Sequence, residues 1–253
     1  MASFFKILVV LIFVAGILLA LCMPGSDRVM GSYVTSLEGR THGQRTNAQL
    51  AARAVDGARI EPGAVFSFNQ TVGSWSPERG YVRAPVSFDG ELAVDWGGGV
   101  CQTSTTLYNA ALLAGLSIIE RNRHTWAPGY VPPGRDAAVA QGNVDLQLRN
   151  PYRWPVRIRA RVSEAQIGFS ILGPSAGPIA GVSNVIQGNT EPREIVQTDA
   201  HLPHGARRLL NRGHPGVRAA VYRIYLHGPF AGKRELVSQD SYPTMERIVA
   251  VGP

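Results

Sequence analysis

The stretch Gly97–Gly115, GGGVCQTSTTLYNAALLAG, constrains this chain more than any other. Three consecutive glycines run almost directly into a cysteine, and a helical pattern begins at once. Leu107, Ala110, Ala111 and Ala114 recur at i, i+3, i+4 and i+7, the spacing of one apolar helix face. Gly115 is the residue expected just past the end of such a helix. Cys101 is therefore expected at or just before a helix N-terminus. Unpaired N–H groups and the positive end of the helix dipole stabilise a thiolate there. The other cysteine, Cys22, lies in an apolar leader, so no disulfide framework is available to the mature domain. An inert buried thiol is the common fate of a free cysteine, but the glycine run, the helix start and an exported setting favour a functional one.

Residues 1–24 read as an export element, either a signal anchor or a signal peptide. Lys6 is the positive flank, Ile7 to Met23 is an apolar run, and Pro24-Gly25 end it. The run is short for a membrane span and long for a signal-peptide core, so cleavage stays open, with the uncleaved anchor favoured. With Lys6 on the cytoplasmic side, the remainder faces outward, as a single-pass membrane protein or one secreted to the wall. The net charge is +7 and lysine occurs only at Lys6 and Lys233, so arginine carries nearly all the positive charge. Such a chain seeks anionic partners, and acidic wall polymers suit an exported one. Nucleic acid is excluded as a partner by the leader and by the lack of basic stripes interleaved with aromatic platforms. There is no H-E-x-x-H, no C-x-x-C, no carboxylate cluster at ligand spacing and no P-loop, so neither metal nor cofactor is expected.

Residues 31–45 read as an extended arm. A first helix is expected over residues 47–56, capped by Asn47 and ended by Gly57. AVFSFN alternates as a strand, and VRAPVSF and ELAVDW flank Asp89-Gly90 as a hairpin with a two-residue turn. Strands are expected at SIIER, around Gly142-Asn143, and at WPVRIRARV and QIGFSILG. The fold class is α+β: a mainly antiparallel sheet with a central helix carrying the cysteine at its N-terminus, followed by a small all-β C-terminal module. The boundaries fall at 25–172 for the main domain, 173–190 for a linker and 191–253 for the second module.

The motifs PGAVFSFNQTVG, RGYVRAPV, GGGVCQTSTTLYNAALLAGL, ERNRHTWAPGYVPPGRDAAV and DLQLRNPYRWPV are long and ordered. Together they resemble the VanW family, named after an accessory product of vancomycin (glycopeptide) resistance clusters. The RGHPG step and the closing RIVAVG resemble the glycine-patterned wall-adhesion module that often accompanies it. The resemblance implies an exported cell-wall protein. Some family members are described as cysteine L,D-transpeptidases acting on peptidoglycan, and a non-catalytic wall-binding or glycopeptide-resistance accessory protein is the alternative the resemblance leaves.

Acyl transfer by a thiol needs a base, a group to orient the base, and donors for the oxyanion. His124 is the expected base, because the strand after the cysteine helix returns the chain toward the helix start. Asp136 is the expected orienter, with Asp95 as runner-up. The backbone N–H groups of Gly98, Gly99 and Cys101 are the expected oxyanion donors, with Gln102 or Tyr81 as possible side-chain helpers. Ser104, Thr105 and Thr106 read as first-turn residues that help the helix start. Arg121, Arg123 and Arg135 flank His124 and Asp136, and with Tyr81 they form the expected substrate-binding set, receiving a carboxylate. Two functions follow. One is a peptidoglycan-acting thiol enzyme: transpeptidase, carboxypeptidase or endopeptidase on stem peptides. The other is a non-catalytic binder of the wall.

Overall fold

The computed structural model describes residues 27–88, 91–174, 180–227 and 231–253. The leader, Lys6, Cys22 and the turn Asp89-Gly90 lie outside the described residues. Among the described residues no helix is long and apolar enough to cross a membrane.

Mostly antiparallel sheets with few helices make up the molecule. Strand β1 (Arg28–Ser36) enters a four-stranded sheet whose order is β1, β9 (Gln166–Gly173), β8 (Val156–Val162), β2 (Arg59–Ile60). Much of the expected arm is thus an edge strand, paired along its length with β9. Helix α1 (His42–Val55) begins earlier than the sequence spacing predicted. Thr41 is its N-cap, not Asn47. The Thr41 side chain accepts from the Gln44 N–H, and the Gln44 side chain accepts from the Thr41 N–H. This capping box contributes about 1 kcal/mol and sets the start of the helix. Asn47 is buried inside the helix instead. Its side-chain amide donates to the carbonyls of Val82 (2.8 Å) and Gly98 (2.9 Å), and its oxygen accepts from the Val82 N–H. One asparagine therefore ties α1 to both the hairpin and the glycine run.

Strand β3 (Val65–Ser67) stops short of the expected span because Ser67 caps a single turn of helix, α2 (Phe68–Val72), by accepting from the Gln70 N–H. The hairpin strands β4 (Arg83–Phe88) and β5 (Glu91–Trp96) pair Phe88 with Glu91, as a two-residue turn requires. They deliver the chain to the glycines and to helix α3 (Val100–Leu113), after which Gly115 takes φ of 75°. Strands β6 (Ser117–Glu120) and β7 (Gln147–Arg149) form a small sheet with β3. The core lies around α3: Leu107, Ala110, Ala111 and Ala114 are fully buried against β1, β9 and α1.

The C-terminal region is all-β. Strands β10 (Ala180–Thr190), β13 (Gly216–Tyr225) and β14 (Arg234–Tyr242) form one antiparallel sheet. Strands β11 (Glu194–Thr198), β12 (Arg207–Asn211) and β15 (Arg247–Val251) form another, in which β11 runs parallel to β15. Residues 180–190, expected as part of a linker, are thus a long strand paired along β13. The glycines and serines that read as linker composition sit at pleat positions and at a register shift between Ile186 and Gly188, a place where glycine is tolerated in a strand.

Close packing dictates the glycine run. A side chain at Gly98 would overlap the backbone of β4, and Gly99 combines φ of 108° with a Cβ position 2.2 Å from the Gln44 carbonyl oxygen. Gly99→Ala is expected to destabilise the protein by at least about 2 kcal/mol, from left-handed strain plus overlap with α1, measured by urea unfolding.

Candidate active site

Cys101 occupies the first turn of α3, behind the N-cap Gly99. No side chain caps this helix end, and the N–H groups of Gly98, Gly99 and Cys101 have no backbone partner among the described residues. The Cys101 sulfur faces the backbone of Val139, 3.2 Å from its carbonyl oxygen and 3.5 Å from its nitrogen. A neutral thiol donates to the first; a thiolate accepts from the second.

After β6 the chain turns back on itself, with Asn122 bridged to Ala138. His124 Nδ1 lies 2.7 Å from Asp136 Oδ2, and the same oxygen accepts the His124 backbone N–H at 2.7 Å. With Nδ1 committed to Asp136, Nε2 is the nitrogen left for the electrostatic interaction of His124 with Cys101. Cys101, His124 and Asp136 thus form one relay, closing through Val139 back to the cysteine.

The polar side of α3 builds this arrangement. Ser104, Thr105 and Thr106 do more than start a helix. Ser104 donates to the Ala137 carbonyl (2.7 Å), and Thr105 accepts the Ala137 N–H (2.9 Å). Asn109 donates to the Arg135 carbonyl (2.7 Å) and accepts from the Arg135 guanidinium. The segment bearing Asp136 is therefore held on both sides by the helix that bears the cysteine. Thr106 pairs with Thr35 of β1 (2.8 Å), and Thr103 with the Ala48 carbonyl of α1. These buried hydroxyls satisfy backbone groups that would otherwise cost free energy.

The electrostatics favour charge separation. Burial pushes the Cys101 thiol up, but the hydrogen bond and charge of His124, helped by the Val139 backbone, outweigh it and the net direction is down. Burial works against the His124 imidazolium, yet its bonds to Asp136 and Cys101 raise its pKa to about 10. Burial likewise disfavours the Asp136 carboxylate, but the His124 bond and the Arg121 charge hold it at about 2. These shifts favour a thiolate–imidazolium pair over a buried carboxylate. His124 contributes stability that is complete below 6.5 and lost as pH rises through about 10, because its folded pKa lies above the ordinary value. Asp136 contributes stability present above 3.8 and lost as pH falls through about 2.

A cleft of about 1330 Å³ opens over the sulfur, lined by Cys101, His124, Gly98, Gly99 and Asp95, by Trp75, Trp96 and Trp126, and by Arg40 and Tyr130. The expected substrate-binding residues do not line it. Arg121 is buried beneath Asp136, bonded to Asp136 and Asp240. Arg135 is buried over the Tyr33 ring and spent on Asn109. Tyr81 is 4% exposed, and burial lifts its pKa to about 12. Arg123 folds over its own chain, donating to the His124 carbonyl at 2.8 Å. Proximity in sequence to His124 and Asp136 put these arginines behind the relay, not in front of it. Gln102 is committed as well, its amide donating to Thr35 and to the Ser36 carbonyl. Asp95 lines the cleft but accepts from the Trp96 N–H, away from His124. Arg40 went unnoticed in the sequence. Its Nε donates to Gln102 Oε1 (2.9 Å) and its guanidinium stacks over Tyr130 (4.9 Å). Nothing local in the segment before α1 marks it.

A family profile described as VanW like protein matches residues 43–172, which hold the whole relay, and a profile described as G5 domain matches residues 183–253. The chain belongs to the VanW-like family. Among its relatives is a Bacillus subtilis (strain 168) protein described as Uncharacterized protein YoaR, 43% identical over 136 residues, covering 54% of this chain and 45% of that one. Another is the Vancomycin B-type resistance protein VanW of Enterococcus faecalis, 34% identical over 109 residues, covering 41% of this chain and 40% of that one. The match spans less than half the length of either. Two solved G5 domains also align. HP0197-G5 is 24% identical, covers 28% of this chain and 92% of that one, and has a TM-score of 0.17. The IgA1 protease G5 domain is 23% identical, covers 29% of this chain and 87% of that one, and has a TM-score of 0.22.

Alkylation of Cys101 by iodoacetamide, followed across pH, reads the ion pair directly. The wild-type thiol is expected to react with a midpoint below the ordinary 9.0, and His124→Ala is expected to move that midpoint upward, since His124 is the largest cause that lowers it.

Proposed function

We propose that this chain is an exported, cell-wall-associated protein that performs thiol-dependent acyl transfer on peptidoglycan stem peptides, in the manner of an L,D-transpeptidase. One observation carries the reading: a free cysteine in the first turn of a helix shares a cleft with a histidine whose Nδ1 lies 2.7 Å from a buried aspartate. That is the constellation acyl transfer by sulfur requires, and its roles are defined by geometry, not by order in the chain. The family kinship with a vancomycin resistance protein and the G5 match support a setting at the wall. The leader, as signal anchor or signal peptide, supplies export in this reading.

The steps follow from the positions. The Cys101 thiolate attacks the carbonyl carbon of the scissile amide, and the developing oxyanion is met by the N–H groups of Cys101 and Gly99 at the helix start. The C–N bond breaks and the leaving amine takes its proton from His124 Nε2, leaving a thioester on Cys101. An acceptor amine then attacks the thioester carbonyl and gives a proton to His124. The C–S bond breaks and the thiolate–imidazolium pair is restored. Water in place of the amine makes the same site a carboxypeptidase. Asp136 stays ionised throughout and holds the imidazole.

Arg40 takes the role expected of the other arginines. Gln102, the residue after the nucleophile, fixes its Nε, and its terminal nitrogens make no ion pair among the described residues. With Arg212, which also lines the cleft, it is a cation able to receive a stem-peptide carboxylate. The Trp75 and Trp126 rings line the cleft as apolar walls.

The second reading, a non-catalytic binder of the wall, rests on the C-terminal match to a G5 domain. Muropeptide analysis separates the two. Cys101→Ala is expected to reduce turnover of a stem-peptide substrate at least about a thousandfold while wall binding persists. Unchanged muropeptides would leave only the binder. Arg40→Gln is expected to raise KM about tenfold for a peptide with a free carboxylate, and to change little for its amide, in steady-state assays.

A further inference from the structure

We propose that Tyr242 and Asp240 of the C-terminal module are positioning residues of the Cys101–His124–Asp136 relay, so that the all-β module completes the active site. The inference rests on the relay as the working site but not on the identity of its substrate.

The Asp136 carboxylate is fully buried and has two oxygens with different duties. Oδ2 serves His124. Oδ1 accepts from Arg121 Nη2 (2.9 Å) and is hydrogen-bonded to the Tyr242 hydroxyl. That hydroxyl has one proton. Its oxygen already accepts the Gly134 N–H (2.9 Å) and lies 3.4 Å from Arg121 Nη2, so the proton goes to Asp136. Asp240 takes Arg121 Nη1 on both oxygens, at 2.7 and 2.8 Å, which leaves Nη2 for Asp136 and shares the positive charge between two carboxylates. All of this is out of water: Arg121, Asp240 and Tyr242 side chains are 10% exposed or less.

The rest of the contact reaches the same segment and the chain just after α3. Asn184 of β10 donates to the Pro133 carbonyl (2.7 Å), and Arg223 of β13 to the Leu116 carbonyl (2.6 Å). Gly134 has φ of 84°, and a side chain there would meet Val221 at 2.7 Å and approach Asp240 and Ala219. The segment that carries Asp136 is thus clamped between α3 on one side and the β13–β14 face on the other. An incidental contact between modules would lie at a solvated rim. This one passes through the buried carboxylate that orients the base.

The groups facing Asp136 set the direction of the effect. His124 and Arg121 come from the chain after β6, Tyr108 stacks on Arg121 from α3, and Asp240 and Tyr242 come from β14. Without the Tyr242 hydroxyl the carboxylate is free to rotate off His124. Without the Asp240 charge, Arg121 pulls wholly on Asp136 and weakens its hold on the imidazolium. Either change destabilises the imidazolium and, through it, the thiolate.

The test uses the full chain and needs no wall substrate. In Tyr242→Phe and Asp240→Asn, iodoacetamide alkylation of Cys101 at about pH 6 is expected to slow about tenfold, with the acid limb of the profile moved to higher pH. Arg208→Ala, an exposed change on the module's other sheet, is expected to leave the profile unchanged. If Tyr242→Phe lowers the melting temperature but not the alkylation rate, the hydroxyl only glues two modules together and the proposal fails. If Tyr242→Phe does not fold, Asp240→Asn decides alone, because it keeps shape and leaves the Tyr242 hydroxyl in place; an unshifted profile there overturns the proposal. A shifted profile alongside muropeptides indifferent to Cys101→Ala would keep the positioning role and discard the transpeptidase reading.

Discussion

The structure turns on a buried negative charge. Asp136 has no exposure to water, and an isolated carboxylate in that position would neutralise itself or unfold its surroundings. It remains ionised because four donors reach it: the His124 backbone and ring, the Arg121 guanidinium and the Tyr242 hydroxyl. Those donors come from two modules and from segments more than a hundred residues apart. Keeping one carboxylate charged obliges the chain to bring them together, and the imidazole follows because it is one of the donors.

The cysteine helix is the other half of that bargain between packing and charge. One side of α3 is apolar and buries against β1, β9 and α1. Its other positions include Thr103, Ser104, Thr105, Thr106 and Asn109, all buried, and each grips the backbone or side chain of another segment. A helix buried all round ordinarily reads as apolar all round. Here hydroxyls and an amide replace part of the apolar surface because the helix must hold irregular loop backbone, whose carbonyls and N–H groups need partners once out of water. The glycines before it serve the same end. They let the helix start press against α1 and β4, where any side chain would overlap backbone.

Local features were legible where local physics decides them. The hairpin, the helix over Cys101 and its glycine stop, and most strands of both modules follow from alternation, turn residues and i, i+3, i+4 spacing. Two caps compete at the start of α1: T-x-x-Q is a capping box at Thr41–Gln44, and Asn47 is also a competent cap residue. Composition misled at residues 180–190, where serine, glycine and asparagine tolerate a strand that β13 imposes by pairing. The arginines near His124 were misplaced for a different reason. Neighbours in sequence share a loop, but not the face of that loop that meets the cleft.

The sequence alone specifies a cysteine's seat: glycines too small to obstruct, the start of a helix, a thiol in its first turn, and a histidine on the returning chain. What stands around that seat came from long-range packing. It placed Arg121 beneath Asp136, put Arg40 in the cleft, and brought Tyr242 and Asp240 from the far module to the carboxylate. Helix and turn signals are written in neighbouring residues, because they arise from neighbouring residues. A hydrogen bond between positions 136 and 242 leaves no such signature, since it depends on how separately folded surfaces meet.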